Sequence, residues 1–174
     1  IDHAAAPGEK IRISGGGRCN FTNLNAAPAN FLSANPHFAI SALRRYTPRD
    51  FVAWVEREGI AYHEKTLGQL FCDGSAKEII AMLARAMQAA GVTLRLKTTV
   101  ERVEPEDEGF SLATSGGPVR CASLVVATGG KSIPKMGATG FGYEIARQFG
   151  LNLVETRPAL VPLTFEVGML ERLK

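Results

Sequence analysis

KIRISGGGRCNFTN, residues 10–23, joins a short apolar stretch to three consecutive glycines and then to a polar run. Ile11 and Ile13 alternate with Lys10, Arg12 and Ser14, a pattern that predicts a short strand entering the triplet. Gly15, Gly16 and Gly17 leave the backbone free to take positive φ and to bring its N–H groups close to a ligand, which suits a phosphate or a flat ring. Arg18, Asn20, Thr22 and Asn23 add donors. An ordinary flexible loop would use the same glycines, so the flanking chain has to decide between the two readings.

Upstream, Ile1-Asp2 has the form of a strand end carrying an acid, the place where dinucleotide-binding folds put the group that hydrogen-bonds a ribose hydroxyl. A turn aspartate would look the same. Downstream, Asn35-Pro36 with Ala39, Leu43 and Tyr46 predicts a helix, and Thr47-Pro48 with Asp50 opens a second one that Gly59 stops. Trp54 is expected to pack. Residues 61–63 and 69–72 predict a small hairpin, in which His63 and Glu64 read as solvated for want of a partner at a recognisable spacing.

Ser75 followed by Glu78 is a capping box for the clearest helix, about 76–90, with Ile79, Leu83, Ala86 and Ala90 on one face. Val92, Leu94 and Leu96 then alternate with polar residues as in a strand near a sheet edge. Three short segments near 98–104, 110–114 and 119–121 are spaced as an antiparallel meander, and Leu124-Val125-Val126-Ala127 reads as a strand of a parallel sheet, covered on both faces. It leads into Thr128-Gly129-Gly130. After Lys131 to Ala138, a loop, the stretch Thr139-Gly140-Phe141-Gly142 opens a helix that Gly150 closes, and its glycine-rich entrance is a place for an anion or for close packing.

Composition narrows the class. The chain has 174 residues, 45% apolar and 21% charged, as in globular domains. Its net charge is +3 with the basic residues spread along it, so no basic cluster points to nucleic acid and none is expected as a partner. Cys19, Cys72 and Cys121 fit neither a disulfide framework nor a zinc site, which points to a reducing, cytoplasmic setting. No apolar run reaches the ~20 residues of a membrane helix. GGGRCN lacks the Lys-Ser/Thr pair of a P-loop.

Strand-end acid, glycine triplet, capped helix, meander, apolar strand and TGG loop, in that order, resemble a glutathione-reductase-like α/β domain: part of a two-dinucleotide-binding FAD domain with a parallel sheet and an antiparallel β-meander. SGGGRCNFTN at 14–23, ATGGKSIPKMGATGFGY at 127–143 and PALVPL at 158–163 resemble bacterial NAD(P)/FAD-dependent oxidoreductases of the aminoacetone oxidase or BaiN-like family. The resemblance implies FAD as cofactor, NAD(P)H as co-substrate and a small organic substrate. It places Asp2 at the adenosine ribose, Ser14, Gly15, Gly16, Gly17, Arg18, Cys19 and Asn20 around the pyrophosphate and flavin, and the Val100 backbone at the adenine. Ala127, Thr128, Gly129 and Gly130 would pass beside the cofactor, with Gly140 and Gly142 at the helix entrance. Phe141 stands where many relatives carry aspartate, and Cys72 where proline is common. No catalytic residue and no metal ligand is implied.

The resemblance divides the chain into an FAD-binding domain, 1–157, and a crossing into a second, substrate domain, 158–174. It puts the GxGxxG strand just upstream of Ile1 and most of the substrate pocket after Leu163, so that these residues alone would be inactive. A nucleic-acid-modifying flavoprotein and a nucleotide-binding module without catalysis are the alternatives.

Overall fold

The computed structural model describes residues 1–132, 139–158 and 169. It divides into two compact units, Ile1–Leu124 and Val125–Lys174. The loop expected at 131–138 and the crossing segment expected from 158 lie largely outside the described residues.

The first unit opens with Asp2 and Ala4 hydrogen-bonded to a distant segment. Asp2 N–H donates to Arg95 O at 2.8 Å, and Thr98 N–H donates back to Asp2 O at 3.1 Å. Giving to an earlier residue and receiving from a later one is the parallel sense of pairing. Lys97, at φ 50, is the extra residue in this pairing and donates to Ala4 O at 3.0 Å. Neither Ile1-Asp2 nor the stretch predicted as a strand at 92–96 is a regular strand in the structure; the two are joined only by these few parallel-sense bonds.

The strand predicted at Ile11–Ile13 is instead a helix, α1 (Glu9–Ile13). Gly8 at φ 76 turns the chain into it, and Arg12 N–H bonds to Gly8 O at 2.9 Å. Glu9 and Arg12, three apart, pair at 3.4 Å. Ile11 packs on the core while Ile13 stays exposed. Two alternating apolar residues fit a short helix as well as a strand, and the packing of Ile11 on the core decides for the helix. The nearby sheet has the order β1 (Asn20–Asn23), β3 (Gln69–Cys72), β2 (Tyr62–Glu64), all antiparallel. The hairpin was legible; β1 was not, because NFTN lacks an apolar alternation and is held by the edge that β3 offers.

The first predicted helix is shorter than expected, α2 (Ile40–Arg45), since Asn35 caps a turn, accepting from His37 N–H at 3.0 Å. The next, α3 (Pro48–Arg57), has the predicted box, with Thr47 N–H donating to Asp50 Oδ2 at 2.7 Å. The longest, α4 (Ala76–Ala89), starts with Ser75 N–H donating to Glu78 Oε1 at 2.8 Å. The core lies between these helices and the sheet: Cys19, Val55, Ile60, Cys72, Ala76, Ile79 and Met82 are buried together, with Trp54 packed at their margin. The predicted meander follows as β4 (Val100–Glu106), β5 (Gly109–Thr114) and β6 (Val119–Cys121), with Val103 and Leu112 paired and buried.

In the second unit, α5 (Phe141–Gln148) is the helix predicted behind the glycines. The stretch read as a covered strand at 124–127 forms no ladder among the described residues, and Val125 is 84% exposed. A parallel strand owes its ladder to segments far away in sequence, so an apolar run can propose one but cannot supply its partner.

Candidate functional site

The glycine triplet turns left-handed. Gly15 (φ 58, ψ 30) and Gly16 (φ 67, ψ 31) are followed by Gly17 at φ 88 and, after Arg18, by Cys19 at φ 53. Left-handed backbone costs an L-residue about 1–2 kcal/mol, so three such positions in a row require glycine. Cys19 N–H closes the turn on Ser14 O at 3.0 Å, and Ser14 Oγ–H donates to Ile11 O at 2.9 Å. Cys72 N–H donates to Arg18 O at 2.9 Å and fastens the turn to β3.

The three glycines differ in what surrounds them. A Cβ on Gly15 would meet the ring of Phe71, whereas one on Gly16 would meet no protein atom within 4 Å, and one on Gly17 only Arg12 O at 3.9 Å. Gly15 is therefore glycine for the sheet's sake, and Gly16 and Gly17 present bare backbone outward. Such a cradle fits a close-approaching anion or flat ring.

Beneath the cradle sit two thiols. Burial pushes the Cys19 thiol up, against the opposing hydrogen bond with Ser14. Burial and then the neighbouring Cys19 push Cys72 up to about 11. Thiols that hold their protons are poor nucleophiles, which agrees with Cys19 as a small core residue.

Asp2 Oδ1 accepts from Ala4 N–H at 2.9 Å, which fixes the carboxylate at the end of its short parallel pairing. Val100 begins β4 opposite Thr114, beside a bulge between Val100 and Arg102.

In the second unit Gly129 is left-handed at φ 71. A Cβ on Gly142 would fall 2.8 Å from Thr128 Oγ1, and one on Gly130 3.0 Å from the Tyr143 hydroxyl. The glycines of 127–130 and of the helix entrance thus let α5 lie directly on the TGG segment. Lys131 Nζ stands 5.9 Å from the Tyr143 ring centroid, and a Cβ on Gly140 would fall 2.9 Å from Lys131 Cε. Phe141, in the place of the common aspartate, brings no acid to this entrance.

One constellation escaped the sequence reading. His63 Nδ1 lies 2.6 Å from Asp73 Oδ1, and its ring stacks on Phe71 at 6.2 Å between centroids. Phe71 is the ring that Gly15 touches, so the pair stands beside the cradle. The signal was the hairpin register: His63 faces Phe71, which brings Asp73, two residues on, within reach. Among the described residues no group of three or more His, Cys, Asp or Glu side chains could hold a metal ion.

A family model described as HI0933-like protein Rossmann domain matches residues 1–163. The chain belongs to that family. Its α/β class and Rossmann type are those expected. The HI0933-like chain is 53% identical over its whole length to the ribosomal RNA dihydrouridine synthase of Escherichia coli, of which it covers 44%. It is 48% identical over 95% of its length to the protein of the same name in Haemophilus influenzae, covering 42% of it. The 3-dehydro-bile acid delta(4,6)-reductase of Clostridium scindens is 26% identical over 90% of the chain and 38% of the relative. The chain thus spans less than half the length of these relatives.

Two expectations change. None of these three relatives bears the name aminoacetone oxidase. The expectation of no nucleic-acid partner is overturned by the two synthases, whose name specifies ribosomal RNA. The basic residues form no cluster, but the acids are unevenly spread: no Asp or Glu occurs between Lys10 and Arg49.

No described helix is long and apolar enough to cross a membrane.

Proposed function

We propose that this chain is the cofactor-binding part of an FAD-dependent reductase that acts on uridine in ribosomal RNA. The observation that carries the reading is 53% identity, without a gap in coverage, to a relative named for that reaction. The left-handed cradle at Gly15 to Gly17 supports it, since bare backbone at positive φ suits the pyrophosphate and ring edge of a dinucleotide.

Ser14 to Asn20 would hold the pyrophosphate and flavin side, Asp2 the ribose, and the Val100 backbone the adenine. Ala127 to Gly130, with Gly140 and Gly142, would be further residues that pass beside the cofactor. When bound, FAD supplies two-electron chemistry, and NAD(P)H is the proposed reductant. The residues of this chain position and shield; protonated Cys19 and Cys72 keep the floor of the cradle neutral. His63, held by Asp73 and stacked on Phe71, is the titratable side chain next to the cradle with a defined orientation.

The test is made on the whole protein. Purified enzyme is incubated anaerobically with NADH or NADPH and unmodified ribosomal RNA transcript, and the digested nucleosides are weighed. Dihydrouridine, a uridine heavier by two hydrogens, is the expected product. Flavin that is reduced by nicotinamide but leaves every RNA unchanged would refute RNA as substrate. It would favour the second reading, a small organic substrate, to which the Clostridium scindens relative points.

A further inference from the structure

The segment between β1 and α3 is unlike the rest of the first unit. Leu32 and Phe38 are 93% and 81% exposed, and Phe31 and Tyr46 are about half exposed. Two clefts cross it. One of about 450 Å³ is lined by His37, Ile40, Ser41, Arg44 and Arg45. The other, about 340 Å³, runs past Phe31, Leu32 and Pro36 and shares His37 and Ile40 with the first, so the two are continuous.

An exposed apolar patch of this kind marks an interaction site, and its charge says with what. Residues 10–49 hold six lysines and arginines and no Asp or Glu, in a chain whose net charge is only +3. The remaining residues are therefore net acidic, and the positive charge is segregated. Arg44, Arg45 and Arg49 have no ion-pair partner among the described residues. Aromatic rings beside unneutralised arginines are the equipment for single-stranded nucleic acid: the rings stack on bases and the guanidinium groups meet phosphates. A protein partner would have to bring an acidic patch to this spot, whereas a nucleic acid brings a phosphate with every nucleotide.

We propose that the cleft bounded by Phe31, His37, Arg44 and Arg45 is a docking surface for single-stranded RNA. The proposal rests on the reading of this protein as an RNA-modifying flavoenzyme and names the face on which its substrate lies. The surface belongs to the first unit alone and is separate in sequence from the glycine cradle.

The experiment uses the whole flavin-loaded protein and fluorescein-labelled oligouridylate, read by anisotropy across a salt series. Arg44→Glu/Arg45→Glu should weaken binding about tenfold or more and lower the slope of log K against log salt by about 1 to 2. Phe31→Ala should weaken binding roughly fivefold or more with the slope kept, because a stacking partner is lost and no charge. Flavin content and melting temperature should not move. Wild-type affinity and slope in the double variant would overturn the proposal, as would a marked drop in melting temperature, which would show the patch to be covered by another part of the protein. The two readings fail separately. If wild type and double variant convert ribosomal RNA with the same KM, the surface is wrong and the function stands. If no variant, wild type included, makes dihydrouridine, the function itself is wrong.

Discussion

A Cβ built on Gly15 would fall 2.6 Å from Cε1 of Phe71, closer than such atoms approach in folded proteins. The first glycine of the cradle and the ring at the centre of the sheet are thus in direct apposition, and the ring carries His63 on it. Gly15→Ala adds overpacking to left-handed strain and should lower stability by about 2 to 4 kcal/mol. Gly16→Ala, with nothing near its Cβ, should cost only the strain, about 1 kcal/mol. Urea denaturation of the two variants measures the difference, and equal losses would mean that the ring yields.

Gly16 and Gly17 have the opposite task. In the whole protein Gly16→Val should abolish flavin retention, because a branched side chain fills the cradle at a φ it tolerates poorly. Asp107→Ser, in the exposed turn of the meander, should leave flavin content unchanged. The ratio of flavin absorbance to protein reports both. Similar losses would remove the triplet from the cofactor site.

The buried thiols set a pH limit. Cys72 keeps its proton up to about 11 in the folded chain, whereas in the unfolded chain the ordinary value is 9.0. The folded state therefore binds more protons between these values, and its stability should fall as pH rises from about 9 to 11. Below pH 9 both states are protonated and Cys72 adds no slope. Denaturation midpoints along this range check the sign. At pH 8 a thiol reagent should label Cys121, which is partly exposed, and reach Cys19 and Cys72 only on unfolding.

The start of α4 rests on a reciprocal cap, with Lys77 N–H donating to Ser75 Oγ at 3.2 Å and Ser75 N–H donating to Glu78 Oε1. Ser75→Ala should cost about 1 kcal/mol. Asp73→Asn, one turn earlier and in an exposed pair, should cost less than about 1 kcal/mol. Thermal unfolding distinguishes them, and a larger loss at Asp73 would make its bond to His63 structural.

What could be read ahead of the structure was local. Ser75 and Glu78 are three apart, Tyr62 to Cys72 is one hairpin, and the meander has short turns, so each element carries its own evidence. Ile11 and Ile13 misled because two alternating residues fit a strand and a short helix alike, and only the core beneath Ile11 chooses. β1 takes its form from the edge of β3, which NFTN does not announce. His63 and Asp73 meet through the register of the hairpin, and Val125 has no local sign of which strands would cover it. The cradle was legible because consecutive left-handed positions are met most cheaply by glycine, and three glycines stand in a row. The segregation of charge was not, since it consists in forty positions without an acid rather than in any basic motif.

The bonds between Asp2 and the 95–98 stretch have a consequence for the order of assembly. They close residues 2–98 of the first unit into a single loop. Contacts so distant in sequence form late, after helices and hairpins whose contacts are near. The glycine cradle lies within a short stretch and the hairpin that fastens it, so it matures early, while the acid proposed for the ribose is set in place among the last. On the proposed assignment of the triplet to the phosphates and of Asp2 to the ribose, a dinucleotide meeting the nascent chain would find its phosphate seat before its sugar seat, and the sugar contact would act as the latch that reports a finished fold.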